Sequence, residues 1–314
     1  MTEATPVIYL LAGVTAAGKS KLSVALGERM NGELLSCDSI AIYRGMDVGS
    51  AKPSPADREK VVHHGIDIVD AKENFSVLDY LLYAKGVIND AMKRNTPILV
   101  TGGSGFYLQS FLSPVVDQVE VSPDIRMKVE EMNRERGVEG MLQVLLELNP
   151  NGLGELDLKN PRRVMRGLER CLASGKTIEE LKKEFEAQEV PYADFEKRII
   201  WLDRENEDIE GRIAKRTEHM LNGGLLEETA ELLSSGIEKN LSASNSVGYR
   251  ECIAYLKGEI PNKELASAIN YSTRRLVSKQ RKWFRKHFGN EARFVISDQL
   301  KTSDITKLNW IRHS

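Results

Sequence analysis

Eight residues near the start of the chain limit its fold more than any other feature. Gly13, Val14, Thr15, Ala16, Ala17, Gly18, Lys19 and Ser20 fit the spacing GxxxxGK[ST]. Such a loop belongs between a buried strand and a helix, where its backbone amides can close around phosphate oxygens. The flanks agree with that placement. Residues 7–11 are a short β-rich apolar run, and residues 19–30 have a helical pattern. The glycines allow close backbone approach. The helix start supplies unpaired N–H groups and the positive end of its dipole. Lys19 adds a full charge, and the Ser20 hydroxyl can hold a magnesium ion that bridges two phosphates. Adjacent phosphates are all this pattern specifies. ATP, GTP and a prenyl diphosphate would each satisfy it.

The rest of the chain supplies the frame. Residues 33–37, 97–101 and 198–202 read as buried strands, the second of these closed by Gly102 and Gly103. Residues 76–93 read as a helix with Ser76 as N-cap and with Leu78, Leu81, Leu82, Val87, Ile88 and Met92 on its apolar side. Strands alternating with helices predict an α/β fold, a P-loop NTPase-like parallel sheet covered on both faces. From 122 to 189 only helical periodicity is visible, punctuated at Pro150-Asn151-Gly152, Asn160-Pro161 and Gly175. We expect a core of residues 1–116 and 190–314 interrupted by a helical insert at 117–189. Residues 293–296 are expected to add an edge strand.

In an open parallel sheet the ligand crevice lies at the carboxyl ends of the strands. The phosphate loop, Asp38 and Ser104 all follow such ends. Asp38 alone is ambiguous: it could cap a helix, hold magnesium or exchange a proton. The net charge of −2 hides a strong local bias, for residues 274–287 carry seven Lys/Arg and no acid. Arg275, Lys279, Lys282 and Lys286 recur at helical spacing on one face, with Trp283 and Phe284 breaking the run. A solvated face is the plain reading, but the absence of any acid favours phosphate contact. Arg162, Arg163 and Arg166 also share a helical face.

Other features exclude classes of function. Cys37, Cys171 and Cys252 give no zinc spacing and no disulfide framework, which fits a reducing, cytoplasmic setting. No apolar run approaches the roughly 20 residues that span a bilayer, and no basic segment precedes an apolar one at the N-terminus, so neither membrane nor secretion is expected. His63-His64 lacks a third ligand at metal spacing and is expected to pack or bond locally. Trp201 and Trp310 read as packing residues or tail anchors.

The stretch Asp38-Ser39-Ile40-Ala41-Ile42-Tyr43-Arg44-Gly45-Met46-Asp47-Val48-Gly49-Ser50-Ala51-Lys52-Pro53 resembles the bacterial tRNA dimethylallyltransferases, whose pattern there is close to DSxxxYxGMDxGTAKP. Gly102-Gly103-Ser104-Gly105-Phe106-Tyr107, Asn160-Pro161-Arg162-Arg163, Val247-Gly248-Tyr249-Arg250 and Lys279-Gln280-Arg281-Lys282-Trp283-Phe284-Arg285 are similar to the family as well. The likeness covers about residues 7–287. Val14 stands where the family usually has Pro, and Ser104 where it has Thr. No zinc-finger extension of the eukaryotic kind is expected.

The resemblance implies transfer of a dimethylallyl group from dimethylallyl diphosphate to the N6 amine of the adenosine 3′ of the anticodon, in tRNAs that read codons starting with U. It implies Asp38 as proton acceptor. It implies Thr15, Lys19 and Arg216 as diphosphate contacts, with magnesium (Mg2+) at Ser20. RNA contacts are implied for Asp38, Ser39, Ile40, Ala41 and Ser104. They are implied likewise for Arg126, Arg162, Arg163, Val164, Met165 and Arg166, for Asn245, Ser246, Val247, Gly248, Tyr249 and Arg250, and for Lys279, Arg281 and Lys282. The expected partner is a tRNA anticodon stem-loop, bound by a monomer. A phosphate-loop kinase of a nucleoside or small metabolite would share the loop and the sheet but not the basic segments. An adenylate isopentenyltransferase would not need extensive RNA-binding surfaces, and a non-enzymatic RNA-binding ATPase-like module is the third alternative.

Overall fold

The computed structural model describes residues 5–297. β1 (Val7–Gly13) is buried at six consecutive positions. Side chains alternate across a strand, so an unbroken buried run means that both faces are covered. The sheet runs in the order β4 (His63–His64), β2 (Glu33–Cys37), β6 (Ile98–Gly102), β1, β7 (Glu196–Asp203), β8 (Arg293–Val295). Every pairing in it is parallel. β3 (Tyr43–Arg44) and β5 (Val69–Asp70) form a separate parallel pair. The expected edge strand is β8, and it closes the sheet on the β7 side.

The helices of the core unit follow from local signals. α1 (Lys19–Met30) starts at Gly18, whose φ of 97° suits only glycine without strain, and packs on β1, β2 and β6. α2 (Pro55–Lys60) is a short turn capped by Ser54. α3 (Val77–Lys93) begins with a capping box between Ser76 and Asp79 and packs on β2. α4 (Gly105–Gln109) follows β6 directly. A main core of strand and helix residues, among them Leu10, Leu11, Leu35, Tyr80, Trp201 and Phe284, fills the layers around the sheet.

The helical insert, Ser113–Pro191, is a separate compact unit. It extends a few residues beyond 117–189 at each end. α5 (Pro123–Glu147) is broken at Gly137, where φ is 63° and ψ −163°. α6 (Pro161–Ser174) is capped by Asn160 and α7 (Ile178–Glu186) by a Thr177–Glu180 box. These helices enclose their own core of Val129, Met141, Leu145, Val164, Leu168, Cys171 and Leu181.

After β7 the chain is helical again: α8 (Asn206–Asn222), α9 (Leu225–Ser234), a 3₁₀ turn at Ile237–Lys239, α10 (Leu241–Ser244), α11 (Tyr249–Leu256) and α12 (Asn262–Phe288). α8 packs along α12, and α12 reaches back to β7 and α4. A second core joins these helices to the loop after β2 through Ile42, Tyr43, Met46, Met220, Leu225 and Tyr249. Trp201 is fully buried, donates its indole N–H to the Gly289 carbonyl at 2.9 Å and lies under the Arg293 guanidinium, as a packing residue should. Trp310 and the tail from 298 lie outside the described residues. Among the described residues no helix is long and apolar enough to cross a membrane. All three cysteines are free and buried.

Candidate active site

The register of the three central strands brings their ends together: Ala12 pairs with Gly102, and Gly102 with Cys37. The loop after each strand therefore opens on one crevice. Gly102 is required here, since a β-carbon would lie 2.1 Å from the Cys37 carbonyl oxygen.

The phosphate loop is held in an open shape by its surroundings. Ala16 adopts φ 65°, an uncommon angle for a residue with a β-carbon. Its carbonyl accepts from Arg212 Nε at 2.8 Å, and the Ala17 carbonyl accepts from buried Arg204 Nε at 3.0 Å. With carbonyls drawn toward these arginines, the N–H groups of Ala16, Gly18, Lys19 and Ser20 have no hydrogen-bond partner among the described residues. Unpaired amides gathered at a helix start form an anion cradle. Lys19 Nζ donates to the carbonyls of Gly13 at 2.8 Å and Val14 at 3.1 Å. Burial pushes its ammonium down to about 8, against the upward pull of the Asp38 carboxylate, while Arg216 adds to the lowering.

Arg216 is not a solvated helix arginine. It extends from α8 into the crevice, where burial lowers its pKa and the Asp38 carboxylate opposes that shift. Asp38 divides its two oxygens. Oδ1 accepts from the amides of Ile40 at 2.9 Å and Ala41 at 3.3 Å, the local cap expected of an aspartate after a strand. Among the described residues Oδ2 has no hydrogen-bond partner, so one oxygen is fixed and the other remains a free acceptor.

Two cavities meet at this point. One, of about 420 Å³, is lined by the phosphate loop, Lys52, His63, Arg212, Lys215 and Arg216. The other, of about 490 Å³, is more apolar and is lined by Ile40, Phe106, Met220, Ile269, Trp283 and Phe284. Thr15, Asp38, Ser50, Gly103, Arg216 and Gln280 belong to both. Ser39, Ser104, Ser246, Val247 and Lys279 line the apolar cavity, and Ala41 and Ser20 the polar one. The arrangement thus suits a molecule with a charged diphosphate end and an apolar remainder, next to a carboxylate.

Several expected site residues also serve the fold. Tyr249 is fully buried, its hydroxyl donates to Glu228 Oε1 at 2.6 Å, and burial drives its pKa far up. Glu228 also accepts the amides of Asp47 and Val48 at 2.8 Å and Gly49 at 3.1 Å, so this pair clamps the loop that carries Gly49 and Ser50. Glycine is needed at 49 for space, since a β-carbon there would strike the Tyr249 ring at 2.4 Å. Arg281 turns inward to Asp203 at 2.8 Å and the Arg204 carbonyl at 2.7 Å, whereas its neighbours Lys279 and Lys282 are exposed. Val164 is wholly buried in the insert core, and Met165 packs against it. The Val164 side chain thus serves the insert core, while Met165 stays partly exposed. Gly248, with φ 97°, starts α11 and is buried, its N–H donating to Glu251. Asn245 and Arg250 are exposed, the latter paired with Glu251. In the insert, Arg126, Arg162, Arg163 and Arg166 are exposed, with Arg163 near Asp157 at 3.6 Å and Arg166 near Glu169 at 3.0 Å.

Lys52 explains the length of the Asp38–Pro53 pattern. Its side chain is 3% exposed and its ammonium meets the Tyr43 carbonyl, Asp47 and Asp67, each at 2.6 Å. His63 and His64 bond to the Val61 carbonyl and to Glu33, both at 2.7 Å, and among the described residues no group of three His, Cys, Asp or Glu could hold a metal. Arg204, Arg212, Glu228 and Gln280 were not identifiable from their types; each contributes through a partner distant in sequence.

A family model described as IPP transferase matches residues 41–287. A tRNA dimethylallyltransferase from Opitutus terrae is 44% identical over 92% of this chain and 92% of its own length. The crystal structure of the full-length tRNA isopentenylpyrophosphate transferase from Bacillus halodurans superposes with a TM-score of 0.69 at 28% identity, covering 96% of this chain and 94% of that one. A eukaryotic dimethylallyltransferase acting on tRNA shares the fold at a TM-score of 0.77 and 22% identity, over 98% of this chain and 76% of that one.

Proposed function

The chain belongs to the IPP transferase family, and from that premise we propose that it transfers a dimethylallyl group from dimethylallyl diphosphate to N6 of the adenosine 3′ of a tRNA anticodon, releasing pyrophosphate. The observation that carries this reading is the junction of the two cavities. A carboxylate with one free oxygen faces the phosphate loop on one side and an apolar chamber on the other.

In this scheme the diphosphate occupies the loop. Its oxygens accept from the unpaired amides, Lys19, Thr15 and Arg216. The adenine leaves the stack of the anticodon loop and enters through the apolar cavity. N6 forms a bond to C1 as the C1–O bond breaks, and the electron pair of that bond leaves with pyrophosphate. Positive charge grows on the allylic carbon and negative charge on the departing oxygen, so cations fixed around the diphosphate lower the barrier. Oδ2 of Asp38 takes the proton that N6 loses. The Ser20 hydroxyl is exposed in the polar cavity and free of protein partners among the described residues, which suits it to hold a magnesium ion. That ion would neutralise diphosphate charge. The exposed lysines and arginines of α12 and of α6 are suited to RNA phosphates. Free buried cysteines accord with work in a reducing cytoplasm.

Incubation with dimethylallyl diphosphate, magnesium and unmodified tRNA, followed by mass analysis of nucleosides, tests the reading. The adenosine next to the anticodon should gain one isopentenyl unit. Asp38→Ala should bind both substrates and lose at least about 100-fold in turnover. Modification of AMP but not tRNA, or phosphate transfer from ATP, would refute it.

A further inference from the structure

We propose that Gln280 is a positioning residue: its side-chain amide fixes the spacing between the two halves of the reaction centre, Thr15 on the diphosphate side and the Gly103-Ser104 turn on the base side. This rests on the transfer reaction proposed above. Gln280 sits on the inward face of α12 and is only 9% exposed. Its Oε1 accepts from the Thr15 amide at 2.8 Å, and its Nε2 donates to the Gly103 carbonyl at 2.9 Å. The two contacts define the amide's orientation, because an N–H needs the oxygen and a carbonyl needs the NH2. Gln280 thus links the loops after β1 and β6 from a third element. Gly103 has no β-carbon for a direct reason: one would lie 2.6 Å from Gln280 Nε2.

The link joins parts that must be in register for chemistry. Thr15 and Ser104 both line the apolar cavity beside Asp38. The flanking turn of α12 is anchored too, since Arg281 holds Asp203 and the Arg204 carbonyl. Arg204 in turn holds the Ala17 carbonyl of the phosphate loop. Lys279, one residue before Gln280, is exposed on the cavity rim. One turn of helix therefore faces the RNA side with lysine and the diphosphate side with glutamine. A misplacement of about 1 Å at reacting groups costs on the order of 100-fold in rate, so the loss of this spacer is expected in kcat more than in affinity.

Two substitutions separate positioning from bulk. Gln280→Met fills a similar volume and makes neither bond. Gln280→Glu keeps an acceptor for Thr15 but, when ionised, sets an oxygen against the Gly103 carbonyl; when protonated, it can donate there again. Four quantities are read: kcat, tRNA Kd, the pH dependence of kcat relative to wild type, and hydrogen exchange at the Thr15 amide. Gln280→Met should lower kcat by roughly 10- to 100-fold while tRNA Kd stays within about twofold, because the lysines are untouched. The kcat of Gln280→Glu relative to wild type should recover as pH falls, and that of Gln280→Met should not. Exchange at Thr15 should quicken in Gln280→Met. Unchanged kcat, an equal loss of kcat and tRNA affinity, or a flat relative profile for Gln280→Glu would overturn the assignment. Absence of transfer by the wild-type protein would overturn the proposed reaction instead, and the Thr15 exchange would still decide this one: unchanged exchange in Gln280→Met refutes the link.

Discussion

At Lys19 two demands oppose each other. In the proposed reaction the residue must be a cation for the diphosphate, yet the loop buries it, and burial pushes its pKa down to about 8. The free enzyme therefore has lost about half of this charge by about pH 8. A bound diphosphate favours the protonated form and raises the pKa, so binding takes up a proton above pH 8 and none well below it. Affinity for dimethylallyl diphosphate, measured without tRNA by calorimetry, should be constant below that point and weaken as pH rises through about 8. Lys19→Arg should remove the decline, as arginine stays charged. A profile equally steep in Lys19→Arg would show that another group titrates. In the proposed reaction Asp38 divides its work between two atoms: one oxygen satisfies Ile40 and Ala41, which fixes the direction of the other. Capping and proton transfer are compatible, and the residue type alone could not have separated them.

Among the elements, α12 shows both what was legible and what was not. Its helical period and acid-free run were plain in the sequence, and Lys279 and Lys282 are exposed. Arg281 belongs to the same run but is turned to Asp203, because one residue rotates the side chain by about 100° around the helix. Charge counting cannot see that rotation without knowing which face meets β7. Strands β1, β2, β6 and β7 were legible because each contains a short apolar run, such as Leu34-Leu35 in β2 and Ile199 to Leu202 in β7. The two-residue strands β3, β4 and β5 were not, since the Tyr43-Arg44, His63-His64 and Val69-Asp70 pairs carry no periodicity and depend on tertiary partners. The Asp38–Pro53 stretch was legible as a pattern but not as a mechanism: Lys52 and Gly49 are there for the packing around Asp47, Asp67 and Tyr249. For α12 the expected outcome is specific. Replacing Lys279 and Lys282 together by alanine should weaken tRNA binding and reduce the salt slope of log K by about two units or less, as two phosphate contacts at most are lost. Filter binding across a salt series checks this, and an unchanged slope would mean that this face does not touch phosphate.

For the molecule as a whole, one loop can serve two chemistries, and the surroundings choose between them. The parallel sheet and phosphate loop alone are equally fit for a kinase, in which the loop holds a donor whose phosphoryl group is transferred. Here Asp38 and an apolar chamber border the loop, and Gln280 ties it to a helix with exposed lysines. Together these favour a loop that retains the leaving group while carbon moves. A donor labelled separately in its allylic carbon and in its phosphorus measures this most directly. After reaction with tRNA in the presence of magnesium, the carbon label should be found in the modified nucleoside and the phosphorus label wholly in pyrophosphate. Phosphorus label in the RNA, or carbon label remaining on diphosphate while tRNA is otherwise altered, would contradict the account.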